Sequence, residues 1–332
     1  MRHLLSTEKK GILIPQENSV FPLTFNPLPG FGSPHLQTIL ACFTPGGPPP
    51  PSITKIFTLE DGDALCCEVS TPPKWKETDK TIILLHGLGG CHTASYMVRL
   101  SRKLYFKGYR AIRVNMRNCG SGRTFAKMPY HGGLSSDIFQ VVCALKAESP
   151  LSPIITIGYS LGGNIALKLA GELGEKNSDL VHATIAVCPP INLAETAEIM
   201  ALPINNLYNR YYMYHLDKLT KQWTEGRPFS SIYEFDELVT APKWGFKSPA
   251  EYYKSSSSCY KLGLIQHPCH ILLAEDDPFI NHNTCLGAQR SDSTKIWVSK
   301  YGGHMGFFGW ADKEYGYYWL DRLLLNWISE KF

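Results

Sequence analysis

Residues 158–162 read GYSLG, a serine held between glycines, with the apolar run IITIGY (154–159) leading in and LGGNIALKLAGELGE (161–175) leading out. A strand that turns sharply into a helix needs residues without a Cβ at the bend. The turn lifts the Ser160 hydroxyl to a helix N-terminus, where developing negative charge is favoured. In this context G-x-S-x-G is a nucleophile motif, and the chemistry it offers is acyl transfer through serine. A turn serine or a helix N-cap is the structural alternative for the same residues. A serine hydroxyl attacks a carbonyl only when a base takes its proton. The chain holds eleven histidines, so chain order must choose among them.

In α/β-hydrolases that order is serine, acid, histidine, the last two on loops after later strands. ILLAEDDPFI (271–280) brings acids to a strand end, and only His282 and His304 follow it. His282 lies five residues beyond Asp277, too close to be a separately positioned base. His304, in the glycine-rich SKYGGHMGFFGW (299–310), is the candidate base. Asp276 and Asp277 are adjacent; the G-x-x-D habit of these enzymes aligns Ala274 with Asp277, which is therefore favoured over Asp276. Both could instead be turn residues before Pro278. The oxyanion needs donors, each worth about 3 kcal/mol of transition-state stabilisation. LLHGLGG (84–90) follows the first parallel strand, and the expected donors are the backbone N–H groups of Leu88 and Leu161. His86 precedes the serine and is read as bracing that loop.

Elements must hold these residues apart in sequence and together in space. ITKIFTLEDGDALCCEVST (53–71) reads as a β-hairpin about a DG turn. TIILL (81–85), YRAIRVNM (109–116), IITIGY, HATIAVCPP (182–190), HILLAE (270–275) and KIWVSK (295–300) then alternate with helix-period segments, the pattern of βαβ units on a parallel sheet. About seventy residues break it before residue 259. There Tyr208, Tyr212, Leu216, Leu219 and Trp223 share a helical face, with Arg210, Asp217, Lys218 and Lys221 opposite. The closing helix puts Trp319, Leu320, Leu323, Leu324 and Trp327 on one face. The expected architecture is an α/β-hydrolase fold: a mostly parallel central sheet with helices on both faces and a helical cap. Residues 1–52, with four consecutive prolines, are read as an N-terminal arm and linker; 53–190 and 259–332 as the core; 191–258 as the cap, above the carboxyl ends of the strands.

Composition narrows the classes. With 44% hydrophobic and 19% charged residues the chain is globular, and a net charge of +4 with scattered lysines and arginines argues against nucleic acid as a partner. Ten dispersed cysteines without a CxxC pair read as reduced thiols. MRHLLSTEKKGILIPQ lacks the apolar core of about 7–15 residues that a signal peptide needs. No run reaches the roughly 18 apolar residues of a membrane span. A cytoplasmic protein is expected. The reading calls for no cofactor and no metal. It leaves oligomeric state open, and it allows peripheral membrane contact through the aromatic and basic cap helix.

The blocks PHLQTI (34–39), LHGLGG (85–90), NMRNCG (115–120), YHGG (130–133), GYSLGGN (158–164), EFDELVTAP (234–242), EYYKSSS (251–257), AEDDPF (274–279) and GGHMGF (302–307) resemble, in order, those of the YheT-like and EMB8-like hydrolases, family four of the AB hydrolase superfamily. The resemblance implies Ser160, Asp277 and His304 as the triad. It also implies hydrolysis of carboxylic esters, from short-chain esters to acylglycerol or phospholipid substrates. His131 and Asp137 are one residue too far apart for an H-x-x-x-x-D acyltransferase motif. A thioesterase or acyltransferase using the same acyl-serine is the alternative, ahead of a non-catalytic binding protein on this fold. Of the remaining blocks, Arg117 is read as bonded to backbone or carboxylates, YHGGLSSD as capping a helix, and EFDELVTAP as packing between cap and core.

Overall fold

Strands and helices alternate along most of the chain, and the strands assemble into one large sheet. The computed structural model describes residues 19–174, 176–224, 227–313 and 316–332. Its main strands are β1 (Val20–Leu23), β2 (Ile53–Thr58), β3 (Ala64–Ser70), β4 (Thr81–Leu85), β5 (Arg110–Asn115), β6 (Ile154–Tyr159), β7 (Ala183–Val187), β8 (Cys269–Ala274) and β9 (Thr294–Ser299). They form a sheet of nine strands in the order β1-β9-β8-β7-β6-β4-β5-β3-β2. β3 alone runs opposite to the other strands of the sheet, through the hairpin with β2 and its pairing with β5. All other neighbouring pairs are parallel.

Every residue of β4 to β8 is buried, because helices cover both faces; this is why β4, β6 and β7 read as nearly unbroken apolar runs, while β5 (RAIRVN) buries Arg110 and Arg113 as well. Strand pleating sends Ile82 and Leu84 to one face, against Met97, Leu100 and Leu104 of α2 (Ser95–Phe106) and Leu320, Leu324 and Trp327 of α11 (Trp319–Glu330). Ile83 and Leu85 point to the other, against Ile138, Val141 and Leu145 of α3 (Ser135–Glu148) and Ile165, Leu169 and Leu173 of α4 (Leu161–Leu173).

The N-terminal arm does more than link. Residues 1–18 lie outside the described residues. Beyond them, β1 adds to the sheet edge in parallel with β9, and α1 (Pro34–Phe43) follows, capped by Ser33. Proline at the first helical position costs no hydrogen bond, so the PHLQTI block is helical despite its Pro-rich surroundings. Between β7 and β8 come α5 (Leu193–Met200), α6 (Asn206–Thr224), α7 (Ile232–Phe235), a π turn (Asp236–Thr240), α8 (Ala241–Trp244) and α9 (Pro249–Ser256). In α6, Tyr208, Met213 and Leu216 are buried while Arg210, Lys218 and Lys221 are exposed; the Trp223 side chain lies outside the described residues. After β8, α10 (His282–Gly287) begins at His282, and a small hairpin, β10 (Phe308–Asp312) with β11 (Gly316–Tyr318), precedes α11.

Candidate active site

Ser160 stands where β6 turns into α4, at φ 50° and ψ −121°. This left-handed backbone is rare for a residue with a side chain and is held by its surroundings. The Ser160 N–H donates to the Val187 carbonyl at 2.9 Å, and the Ser160 carbonyl accepts from Gly163 N–H at 2.7 Å. Glycine is required on both sides of the turn: a Cβ on Gly158 would collide with the Gly162 backbone, and one on Gly162 with the Leu85 and His86 carbonyls.

His304 reaches the serine from the loop after β9. Its Nε2 lies 2.8 Å from Ser160 Oγ and its Nδ1 lies 2.8 Å from Asp277 Oδ2. The two acids of the EDD stretch diverge. The other oxygen of Asp277, Oδ1, accepts the Phe279 and Ile280 N–H groups at 2.9 and 3.1 Å. Asp276 instead accepts from Gly303 N–H at 2.8 Å and so fixes the histidine loop. Cys188, Asp277 and His304 bring ligand-type atoms within 4.8 Å of one another. Both His304 ring nitrogens are already engaged, so a metal there would have to displace the contact with Ser160 or with Asp277.

The arm helix α1 supports this loop. His304 N–H donates to Thr38 Oγ1 at 2.9 Å, while the Thr38 hydroxyl donates to the Pro34 carbonyl at 2.8 Å. Gln37, fully buried, donates to the Phe31 and Phe308 carbonyls and accepts the Phe308 N–H at 2.7 Å. Cβ atoms on Gly303 and Gly306 would strike the Pro34 and Gln37 carbonyls, so the GGHMGF glycines permit close approach to α1. The sequence placed PHLQTI only in the arm and linker; the long separation from His304 hid the contact.

The loop after β4 lies against the serine: a Cβ on Gly87 would be 3.2 Å from Ser160 Cβ. Gly87 N–H donates to the Tyr96 hydroxyl at 3.0 Å and Gly89 N–H to the Tyr130 hydroxyl at 2.8 Å. The intervening Leu88 N–H has no acceptor among the described residues, and Leu88 and Leu161 line the same cavity as Ser160. His86 braces the loop. Its Nδ1 lies 2.8 Å from the Gly87 carbonyl oxygen and its Nε2 faces Met116 N–H at 3.2 Å. Burial lowers its pKa to about 4, which keeps it neutral.

The cavity lies between the strand ends and the helices after β7, and it is lined mostly by apolar and aromatic side chains. Ser160 and His304 stand in its wall with Met200, Tyr212, Leu216, Phe235 and Phe279. A second apolar groove, between Cys42 and Phe43 of α1 and Leu207 and Tyr211 of α6, also ends on His304 and Phe279. YHGGLSSD leads into α3 with Asp137 in its first turn, as expected, but no side chain caps the helix: Leu134 is at its N-cap, and Tyr130, His131 and Gly132 line the cavity. Arg117 is clamped by Asp137, Asp63 and Asp61 at 2.6–2.8 Å, a structural cluster behind the loop. Asp236 was read as packing. It is buried yet lines the cavity, and it is bonded to Thr240 and Tyr253 rather than to His304.

A serine elbow on this parallel sheet, under helices inserted after β7, defines an α/β-hydrolase. Residues 76–296 match the Hydrolase_4 family, described as serine aminopeptidase, S33, and the chain belongs to that family. It is 27% identical over 326 residues to YheT of Escherichia coli, which bears an esterase name, covering 92% of this chain and 93% of that protein. It is 28% identical over 246 residues to the monoacylglycerol lipase of Saccharomyces cerevisiae, covering 68% of this chain and 54% of the yeast protein. The solved esterase Pf2001 of Pyrococcus furiosus shares the fold, with a TM-score of 0.56, 17% identity and coverage of 85% and 91%. The chain is an enzyme, a hydrolase of the esterase and lipase type. Among the described residues no helix is long and apolar enough to cross a membrane.

Proposed function

We propose that Ser160, His304 and Asp277 form a catalytic triad that hydrolyses carboxylic esters, short-chain esters or acylglycerol-type lipids, through an acyl-enzyme. The observation that carries this reading is the unbroken contact chain Ser160 Oγ–His304 Nε2 and His304 Nδ1–Asp277 Oδ2, both at 2.8 Å, in the wall of an apolar cavity. His304 takes the Ser160 proton as Oγ attacks the ester carbonyl, and Asp277 holds the ring and stabilises its charged form. The Leu88 and Leu161 N–H groups receive the oxyanion. His304 then protonates the departing alcohol, and water repeats the cycle on the acyl-serine. Two apolar grooves ending on His304 offer separate places for the acyl and alcohol parts. A fluorophosphonate probe is expected to label the wild type and not Ser160→Ala, whose kcat on a p-nitrophenyl ester should fall by about 10⁵-fold or more. A folded wild type that takes no label would overturn the reading.

Peripheral contact with lipid surfaces is a second reading, and one observation favours it. Phe43, Leu207, Tyr211 and Tyr214 are exposed, and the first three line the second groove. The apolar surface therefore leads to the site, whereas the α6 face that the sequence presented as aromatic is mostly turned inward. Co-sedimentation with phosphatidylcholine vesicles tests it: Leu207→Asp should reduce the bound fraction, and no binding by the wild type would exclude it.

A further inference from the structure

The block EFDELVTAP takes no part in the chemistry above, yet the chain bends around it. Pro242 has no N–H to give a helical ladder. The backbone widens to a π turn just before it, in which Ala241 N–H returns to the Asp236 carbonyl five residues back. Single π turns of this kind recur at functional sites. Here the turn sets the Asp236 side chain into the wall of the cavity that holds Ser160 and His304.

The Asp236 carboxyl receives the Thr240 hydroxyl at 2.6 Å on Oδ1 and the Tyr253 hydroxyl at 2.9 Å on Oδ2. A carboxylate has about four acceptor sites. No cation bonds it among the described residues, and Ile232, Phe235 and Leu193 share its wall. Fastening a turn to α9 does not need a carboxyl; an amide or hydroxyl would do it without the cost of a buried acid. His131, in the same cavity, accepts Gly133 N–H on Nδ1 at 3.0 Å. Burial pushes its pKa down to about 3, so the ring is neutral, and with Nδ1 accepting, its proton is on Nε2. The lining of one apolar cavity thus includes an acceptor, Asp236, and a donor, His131.

We infer that Asp236, assisted by His131, recognises a hydroxyl group on the part of the ester that fills this pocket, so that the enzyme favours chains hydroxylated at one depth over plain alkyl chains. A hydroxyl both donates and accepts, which matches the pair; a carboxylate would meet Asp236 with like charge, and a plain chain would leave both groups unpaired. The inference rests on the reading of Ser160 as nucleophile.

The test is a set of p-nitrophenyl alkanoates of increasing length, each plain and with one hydroxyl moved stepwise along the chain. Wild type is expected to show, at one position only, a gain in kcat/KM on the order of ten- to a hundredfold over the plain ester. In Asp236→Leu that hydroxylated-to-plain ratio should fall to near one. Should the leucine variant fail to fold, Asp236→Asn keeps size and a carbonyl acceptor, and its ratio should fall severalfold with the peak at the same position. A flat ratio across all positions in wild type, or a full gain surviving in a folded Asp236 variant, overturns the inference. Failure of the nucleophile reading looks different: no fluorophosphonate labelling and no turnover of plain esters.

Discussion

Two aspartates with enclosed side chains line or flank one cavity and are held in opposite ways. Asp277 sits on the loop after β8, where Phe279 and Ile280 N–H groups and the His304 ring surround the carboxylate with fixed donors. Asp236 sits among the helices after β7, where two hydroxyls are its only partners among the described residues and apolar and aromatic side chains share its wall. Burial there raises its pKa to about 7. Backbone donors come from the sheet frame and cannot rotate away; hydroxyls can. The frame side is thus built to hold a carboxylate in one place, and the helices after β7 to keep a polar group available to something that enters.

The comparison can be broken at its strongest point. Asp277→Asn should lower kcat by about 10⁴-fold, because an amide favours the wrong imidazole tautomer; stopped assays on a p-nitrophenyl ester measure it. The same change at Asp236 should act mainly on selectivity between hydroxylated and plain esters, and equal kcat losses at both positions would erase the distinction.

Next in size is a pH effect on stability. Asp236 titrates near 7 when folded and near 3.8 when unfolded. Well below pH 3.8 both states are protonated and nothing is lost; as pH rises to 7 the unfolded chain ionises first, and folding loses up to about 4 kcal/mol. Urea titrations should therefore show Asp236→Asn gaining on wild type between pH 4 and pH 7 and holding that gain above it. A difference independent of pH would place the acid in a wetter site.

Smallest is a change on the frame side that leaves both aspartates intact. Thr38→Val removes the acceptor of His304 N–H, which should cost about 1–3 kcal/mol of stability. It should also lower kcat by roughly ten- to a hundredfold with little change in KM. Thr38→Ser, which keeps the oxygen, should restore kcat; failure to restore it would reduce Thr38 to packing.

The frame side was the more legible in the sequence, for a physical reason. Strands buried on both faces are mostly apolar, so β4, β6, β7 and β8 announce themselves, and the proposed nucleophile and acid stand at strand ends, where GYSLG and EDDPF stand out. Glycines at 158 and 162 are demanded by local collisions, which is why five residues carry so much. β1 was missed because VFPL is four residues long and interrupted by proline, with its pairing to β9 decided far away. Tyr130 and Asp236 were missed as cavity residues because nothing local to YHGG or EFDELVTAP says which way a loop faces. Asp276 and Asp277 could be told apart only by a family spacing, since adjacent residues on a turn differ in direction and not in type.

The contact between α1 and the histidine loop has a kinetic consequence. Thr38 and His304 are 266 residues apart, and Gln37 and Phe308 are 271 apart, so these bonds close among the longest loops in the chain. Contacts of such separation are slow to form. During refolding, the parallel sheet and its two helical layers can assemble around the elbow while His304 still lacks its support. Ester turnover should therefore return later than secondary structure, which makes the enzyme's own activity a clock for the last step of its folding.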